Sequence, residues 1–398
     1  MTTYDRDYGR PVSVEEAQRT LRDIRGVDVD YGAPLVSASV ESMKAYVPGR
    51  PWREVARELG IAEAELLLLA ANENVLGPSP LGVAAAKAAL GDVNLYPDGA
   101  ASALKAKLQR KLGVDPARIV VGSGSNEIIE LLIRTFVQPD ETVLTGWPSF
   151  VVYRLAAQAH GRDAVLVPLR KDRYDLGSLA ALVDHRTKLV FIANPNNPTG
   201  TYASKREVAA FLDRIPKSTI VVLDEAYFEY TDAPDFPNGL VDFPGYPRLV
   251  VLRTFSKAYG LAGLRVGYGV MDPELAEYVN RVRQPYNVSA VAEAAACAAL
   301  DDDEHLARSR RMVREGMSYL MEALTALGLE PVPSQANFVL VKLPVPGDPV
   351  QAGLRQRGIL ARAMSGYGMP ESVRLTVGTR AMNERVVAAL GELIGGAR

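Results

Sequence analysis

The chain has one cysteine among 398 residues, Cys297, so no disulfide can form within it. The absence of any such pair suits a reducing compartment such as the cytoplasm. Cys297 lies in the alanine-rich run 294–299, where a small buried hydrophobe is the expected reading. Histidine is scarce as well: His160, His185 and His305 stand far apart, and no Cys/His cluster exists. Neither a metal site nor a Ser-His-Asp hydrolase is expected from such a set. Charge of one sign is also missing. Lys+Arg total 45 against 47 Asp+Glu, which gives no footing for nucleic acid or an anionic membrane surface. The longest apolar run, residues 64–71, contains Glu65 and is far too short to span a bilayer. The first ten residues are polar and charged, so no signal peptide is expected. No internal repeat or low-complexity stretch occurs.

What the chain does have is an apolar content of 48%, enough for a sizeable core, in a pattern that alternates helix and strand. Residues 13–24 suggest a short helix; after a Pro/Gly-rich turn at 46–51, residues 52–60 suggest a short amphipathic one. Beyond residue 76, helices are expected at 81–90, 102–112, after Asn126, and at 204–214. Strands are expected at 119–121, 142–144, 164–167, 189–193, 219–223, 249–254 and 265–271. This alternation argues for a mostly parallel sheet with helices on both faces. Asp272-Pro273-Glu274 carries a cap, a first-turn proline and an acid, so a helix should begin there and stop near Pro285. Helices at 289–300 and 304–327, a helix around 350–357, strands at 337–342, 359–362 and 373–377, and a last helix from Asn383 make a separate α+β block.

Several motifs sit where strands end, the place at which open α/β sheets bind ligands. Thr254-Phe255-Ser256-Lys257-Ala258-Tyr259-Gly260 follows one strand, and Arg265 comes shortly after. Hydroxyls with an arginine suit a phosphate dianion, and a lysine with little bulk around it suits a Schiff base. Gly122-Ser123-Gly124-Ser125-Asn126 joins a strand to a helix start, where free N–H groups attract an anion. It fits neither the Walker nor the dinucleotide glycine pattern. Asp224, in Val221-Val222-Leu223-Asp224-Glu225-Ala226-Tyr227, ends an apolar strand; a carboxylate there needs a cationic partner, a helix to cap or a metal to bind. Asn194-Pro195-Asn196-Asn197-Pro198-Thr199-Gly200 is a rigid turn after another strand. Phe150, in Gly146-Trp147-Pro148-Ser149-Phe150, is either core or a ring set against a ligand.

Taken together, these motifs resemble those of the fold-type I, pyridoxal-phosphate-dependent aminotransferases, and in particular the histidinol-phosphate aminotransferase branch, over residues 37–395. The resemblance implies an α/β fold. A large cofactor-binding domain (76–295) would carry a mostly parallel seven-stranded sheet flanked by helices. A smaller α+β domain (48–75 with 296–398) and an amino-terminal extension or arm (1–47) would complete it. It implies pyridoxal 5′-phosphate as cofactor, with Lys257 as the Schiff-base lysine, Asp224 on the pyridinium nitrogen, and Asn197 and Tyr227 on the ring hydroxyl. Ser125, Asn126, Thr254, Ser256 and Arg265 would hold the phosphate and Phe150 the ring face. Many relatives have tyrosine at Phe150, so a hydroxyl is missing here. Asn94-Leu95-Tyr96-Pro97-Asp98 is similar to the segment that family members lend across a homodimer interface, which would place Tyr96 at the neighbouring subunit's cofactor.

The substrate end rests on Arg374, in a strand, and Arg362, which ends another; each is a bidentate anion binder or, for Arg362, a surface or ion-paired side chain. The resemblance makes Arg374 and Arg362 the anion-binding pair of a phosphorylated amine, with Tyr46 and Asn74 at the substrate mouth. It implies ping-pong exchange between histidinol phosphate and a 2-oxo acid such as 2-oxoglutarate. Transamination of aromatic or other amino acids and decarboxylation of a phosphorylated amino acid are the alternatives on the same fold. A non-catalytic DNA-binding regulator is the alternative of another class; the retained Lys257 and Asp224 and the charge balance speak against it.

Overall fold

A computed structural model of the protein describes residues 35–43 and 49–395. The helix expected at 13–24 and the residue Tyr46 lie outside the described residues. The chain divides into two compact units, 1–42 and 43–398. In the first, the described residues contain a short helix, Ala38–Glu41, whose first turn is capped by Ser37.

In the second unit, seven strands form one sheet: β1 (Ile119–Gly122), β2 (Thr142–Trp147), β3 (Asp163–Pro168), β4 (Thr187–Ala193), β5 (Ile220–Asp224), β6 (Leu249–Thr254) and β7 (Gly267–Val270). Their spatial order is β1-β7-β6-β5-β4-β2-β3. Pairs among β2 to β6 are parallel, and β7 runs antiparallel to both β6 and β1. The expectation of a mostly parallel, seven-stranded sheet is met. β5 and β6 are buried along their whole length because helices cover both faces, which is why they read as unbroken apolar runs. The helices include α1 (Ser125–Phe136), α2 (Val152–Ala159), α3 (Pro273–Val282) and α4 (Ala290–Ala299). α1 lays Ile128, Ile129 and Leu132 onto the sheet, against Val222, Val250 and Leu252. α3 starts where the sequence places it: Asp272 caps the Glu274 N–H and Pro273 fills the first turn.

Register matters most at the carboxyl edge. Ala193 stands opposite Asp224, and Asp224 opposite Leu252. The chain therefore leaves β4, β5 and β6 at one level, and the Asn197, Asp224 and Lys257 motifs emerge side by side. β7 begins at Gly267, two residues later than expected, because Arg265 adopts a left-handed backbone (φ 54°) that a strand cannot carry.

A four-stranded antiparallel sheet has its own core. Its main pair, Phe338–Lys342 with Ser372–Thr376, is covered by the helices Asp303–Ala326, Gly347–Gln356 and Arg380–Gly395. The last helix starts three residues before the expected Asn383, whose buried side chain instead closes the Gly378 turn through two 2.9 Å bonds. Leu67–Leu68 pairs in parallel with Ile359–Leu360, and the Thr376 N–H donates to the Leu69 carbonyl at 2.9 Å. These bonds carry residues 70–73 up to the strand that bears Arg374.

Candidate active site

The strand ends, residues 70–73 and the four-stranded sheet enclose a cavity of about 610 Å³. Ser125, Asn126, Phe150, Asn197, Asp224, Tyr227, Thr254, Ser256, Lys257, Arg265, Arg362 and Arg374 all line it. Asn74, expected at the substrate mouth, does not, and Tyr96 was expected at the neighbouring subunit's cofactor. Asn74 is buried behind the wall, where its Nδ2 donates to the Ala258 carbonyl at 2.9 Å and to Ser309 Oγ at 2.7 Å. Its amide is consumed in holding the segment after Lys257, so the expected place at a substrate mouth is corrected to a structural one. Tyr96 lies away from this cavity, 84% exposed.

Lys257 follows β6 and projects its Nζ into the cavity, 3.2 Å from the Ala71 carbonyl and 5.6 Å from the centre of the Tyr227 ring. Burial, reinforced by the Arg374 and Arg265 charges, pushes its pKa down to about 8. A fraction of the amine is therefore neutral near pH 7, the form able to attack a carbonyl.

Asp224 is 4% exposed at the end of β5. Its Oδ2 accepts from the Tyr153 hydroxyl at 2.7 Å, while its Oδ1 is buried with no protein partner. Burial pushes its pKa up to about 6. A buried carboxylate oxygen without a donor is costly, so the site is shaped for a cationic N–H that the protein itself does not supply. Tyr227, its hydroxyl pushed up to about 12 by burial, accepts from Asn72 Nδ2 at 3.0 Å and keeps its own proton to donate.

The anion cradle assembles from three segments. α1 begins at Ser125 without a side-chain cap, leaving its first N–H groups uncommitted. Gly124 precedes it at φ 75°, and a Cβ there would strike the Arg265 guanidinium, so only glycine allows the two to meet. Thr254 Oγ1 donates to Ser256 Oγ at 3.0 Å, and Arg265 Nη1 reaches the same Ser256 Oγ at 3.4 Å. Two hydroxyls, an arginine and an uncapped helix start converge as a dianion requires.

Opposite the lysine stands Arg374. It is 7% exposed, donates from Nη2 to the Ala70 carbonyl at 2.7 Å and from Nη1 to Asn197 Oδ1, and lies 5.3 Å from the Phe338 ring centre. Asn197 thus turns its oxygen to Arg374 and has its amide nitrogen left to donate. Arg362 sits directly across from Arg374 in strand register, so both guanidinium groups share a face. Both guanidinium groups line the cavity.

Three residues here escaped the sequence reading. Tyr153 lies three residues after Phe150, stacks on Phe191 (4.6 Å, 8°) and orients Asp224. Its place as the second residue of α2, on the face that the helix buries, is the signal that was available. Asn72, between the two neighbours Ala71 and Glu73 on the cavity wall, holds Tyr227. Tyr367 lines the cavity beside Arg362 and stacks on Trp147 at 5.8 Å. Neither of the latter two follows a strand of the large sheet, so no local motif marks it.

An α/β sheet offering a lysine, a lone acid and an anion cradle at its strand ends defines a site for a phosphorylated carbonyl cofactor. Comparison with known proteins gives that class a name. A family model, aminotransferase class I and II, matches residues 64–390, and the chain belongs to that family. It is 53% identical over 364 residues to the histidinol-phosphate aminotransferase of Anaeromyxobacter sp. (strain Fw109-5), covering 91% of this chain and 100% of the relative. The crystal structure of histidinol-phosphate aminotransferase from Sinorhizobium meliloti in complex with pyridoxal-5′-phosphate superposes with a TM-score of 0.82 at 30% identity, covering 92% of this chain and 98% of that one. L-threonine-O-3-phosphate decarboxylase from Porphyromonas gingivalis shares the fold, with a TM-score of 0.73 at 24% identity over 82% of this chain and 99% of that one.

Proposed function

We propose that the protein transfers the amino group of histidinol phosphate to a 2-oxo acid such as 2-oxoglutarate, with pyridoxal 5′-phosphate held in this cavity. The observation that carries the reading is the register pair Arg362–Arg374 facing the cavity that holds Lys257 and Asp224. Two guanidinium groups on one face suit a dianion such as a phosphate better than a single carboxylate.

Bound there, the cofactor supplies a carbonyl for an amine and a ring that draws electrons from the substrate's Cα. The chain's own residues do the rest. Ser125, Asn126, Thr254, Ser256 and Arg265 would hold the phosphate, and Phe150 would pack against the ring. Asp224 Oδ1, without a protein partner, would accept from the ring N–H, and that cation would keep the carboxylate ionised. Asn197 and Tyr227 donate to the ring hydroxyl. Lys257 Nζ would hold the cofactor through its carbonyl and, as a neutral amine in the cavity, would take the proton from the substrate's Cα and return it. Arg374 and Arg362 fix the anionic end of the donor and then of the acceptor.

We further infer a homodimer in which Tyr96 enters the neighbouring subunit's site, a cytoplasmic location, and a division into an arm (1–47), a large domain (76–295) and a small one (48–75 with 296–398). High exposure of Tyr96, with Leu95 and Val93 at 62% each, supports a covered surface in the assembly.

The test is a donor half-reaction followed by the cofactor's visible absorption. Histidinol phosphate should bleach it rapidly, and 2-oxoglutarate should restore it. Carbon dioxide release in the absence of an acceptor would favour decarboxylation, and faster bleaching by phenylalanine would favour an aromatic donor.

A further inference from the structure

Arg283, Tyr286 and Asn287 connect α3 to α4 and touch two regions that serve different purposes. Tyr286 stacks on Tyr96, with ring centres 4.8 Å apart and planes 24° apart. Its backbone is left-handed, φ 57°, a conformation that a bulky residue adopts only under constraint. Among the described residues Tyr286 is 48% exposed, and its stacking partner Tyr96 more so. A strained residue holding an exposed ring against another exposed ring makes sense where both rings are covered by a second chain. The neighbouring Arg283 ties the same loop down, donating from Nη2 to the Gly99 carbonyl at 2.8 Å.

On its other side the connection holds the protomer's own phosphate turn. Asn287 Nδ2 donates to Glu127 Oε2 at 2.6 Å and to the Val121 carbonyl at 3.1 Å. Glu127 Oε2 in turn accepts the Ser123 N–H, inside the turn that leads to Ser125. Arg283 Nη1 donates to Asn287 Oδ1, joining the two halves.

We propose that this connection is a positioning segment for two active sites at once. Tyr286 sets the pose of Tyr96 for the neighbouring subunit's cofactor phosphate, and Asn287 sets the phosphate turn of its own subunit. The proposal rests on the homodimer reading of Tyr96 given above. Neither residue touches the reacting atoms; both act through another group.

Tyr286→Gly is the informative variant because glycine suits φ 57°. Its melting temperature should equal or exceed the wild type's, while pyridoxal phosphate binds about tenfold more weakly, the loss of one hydrogen bond to a charged oxygen. Tyr286→Phe keeps the stacking ring and should bind the cofactor as the wild type does. Hybrid dimers, isolated with two affinity tags, then separate the two roles. Paired with Lys257→Ala, the Tyr286→Gly chain holds the only lysine and receives a well-posed Tyr96 from its partner, so one complete site returns, about half of the wild-type turnover per dimer. Asn287→Ala paired with Lys257→Ala should show about half of the Asn287→Ala homodimer's turnover per dimer, one uncorrected site instead of two, because its phosphate turn is in the same chain as the lysine. A Tyr286→Gly hybrid that fails to recover, or an Asn287→Ala hybrid that does recover, overturns the proposal. A Tyr96→Ala hybrid with Lys257→Ala tells the failures apart. If it recovers and Tyr286→Gly does not, the positioning role alone is wrong; if neither recovers, the shared-site reading falls and takes the proposal with it.

Discussion

The two halves of the cavity are built in different ways. The half assigned to the cofactor takes its groups from adjoining strand ends of one sheet, most of them within a few residues of where a strand stops and Arg265 two residues before β7 begins. The half assigned to the substrate brings together Arg362 and Arg374 from the four-stranded sheet, the Ala70 carbonyl from a segment some three hundred residues away, and Asn197 from the large sheet. Binding to the first half is secured by register within a single parallel sheet. The second half depends on two separately cored sheets meeting correctly, so it is the half in which specificity can change without loss of the cofactor chemistry.

Substitutions that break this contrast differ in size. The largest effect is expected from Lys257→Ala, which removes the proton carrier and should abolish turnover in both half-reactions, a loss of at least about a thousandfold; stopped-flow absorption of each half-reaction measures it. Asp224→Asn should cost about a hundredfold or more in kcat with little change in donor KM, because a neutral amide no longer stabilises the ring N–H cation. Arg374→Lys belongs to the other half. It should leave cofactor absorption unchanged and raise KM for the phosphorylated donor by about tenfold to a hundredfold, since the ammonium cannot reproduce the fork that joins Ala70 and Asn197. If it weakens the cofactor as much as the donor, the two halves are not separate. Tyr153→Phe should have a smaller effect, within about tenfold, because it removes one bond to Asp224 Oδ2 and leaves Oδ1 in place.

A pH series sharpens the same contrast. In the cofactor-free protein Lys257 has its pKa lowered to about 8, so the neutral, attacking amine grows as pH rises through that value. The rate of pyridoxal phosphate capture should rise between pH 7 and 9 and level off above. Asp224, raised to about 6, is protonated below that value, so cofactor affinity should fall as pH drops through 6. A capture rate independent of pH across this range would mean that Lys257 is not the attacking amine.

Legibility in the sequence follows the same division. The motifs at 122–126, 194–200, 221–227 and 254–265 could be read because strand, turn and functional residue are contiguous, and the cavity gathers all of them. Tyr153 was hidden because its role arises from a helix face turned onto the end of a strand seventy residues on. The pairing of Arg362 with Arg374 depends on antiparallel register, which the separate strands do not announce. Asn74 was misplaced because a polar residue beside the wall segment 70–73 reads the same whether its amide faces the cavity or, as here, the Ser309 hydroxyl and the Ala258 carbonyl behind it.

The most direct test compares kcat/KM for histidinol phosphate with that for histidinol, its dephosphorylated form, in the wild-type protein and in Arg362→Ala. The account predicts that the phosphate is worth about a hundredfold or more in the wild type, the value of two charge-assisted contacts, and that most of this preference disappears in the variant. Equal use of the two donors, or a preference untouched by removing Arg362, would contradict it.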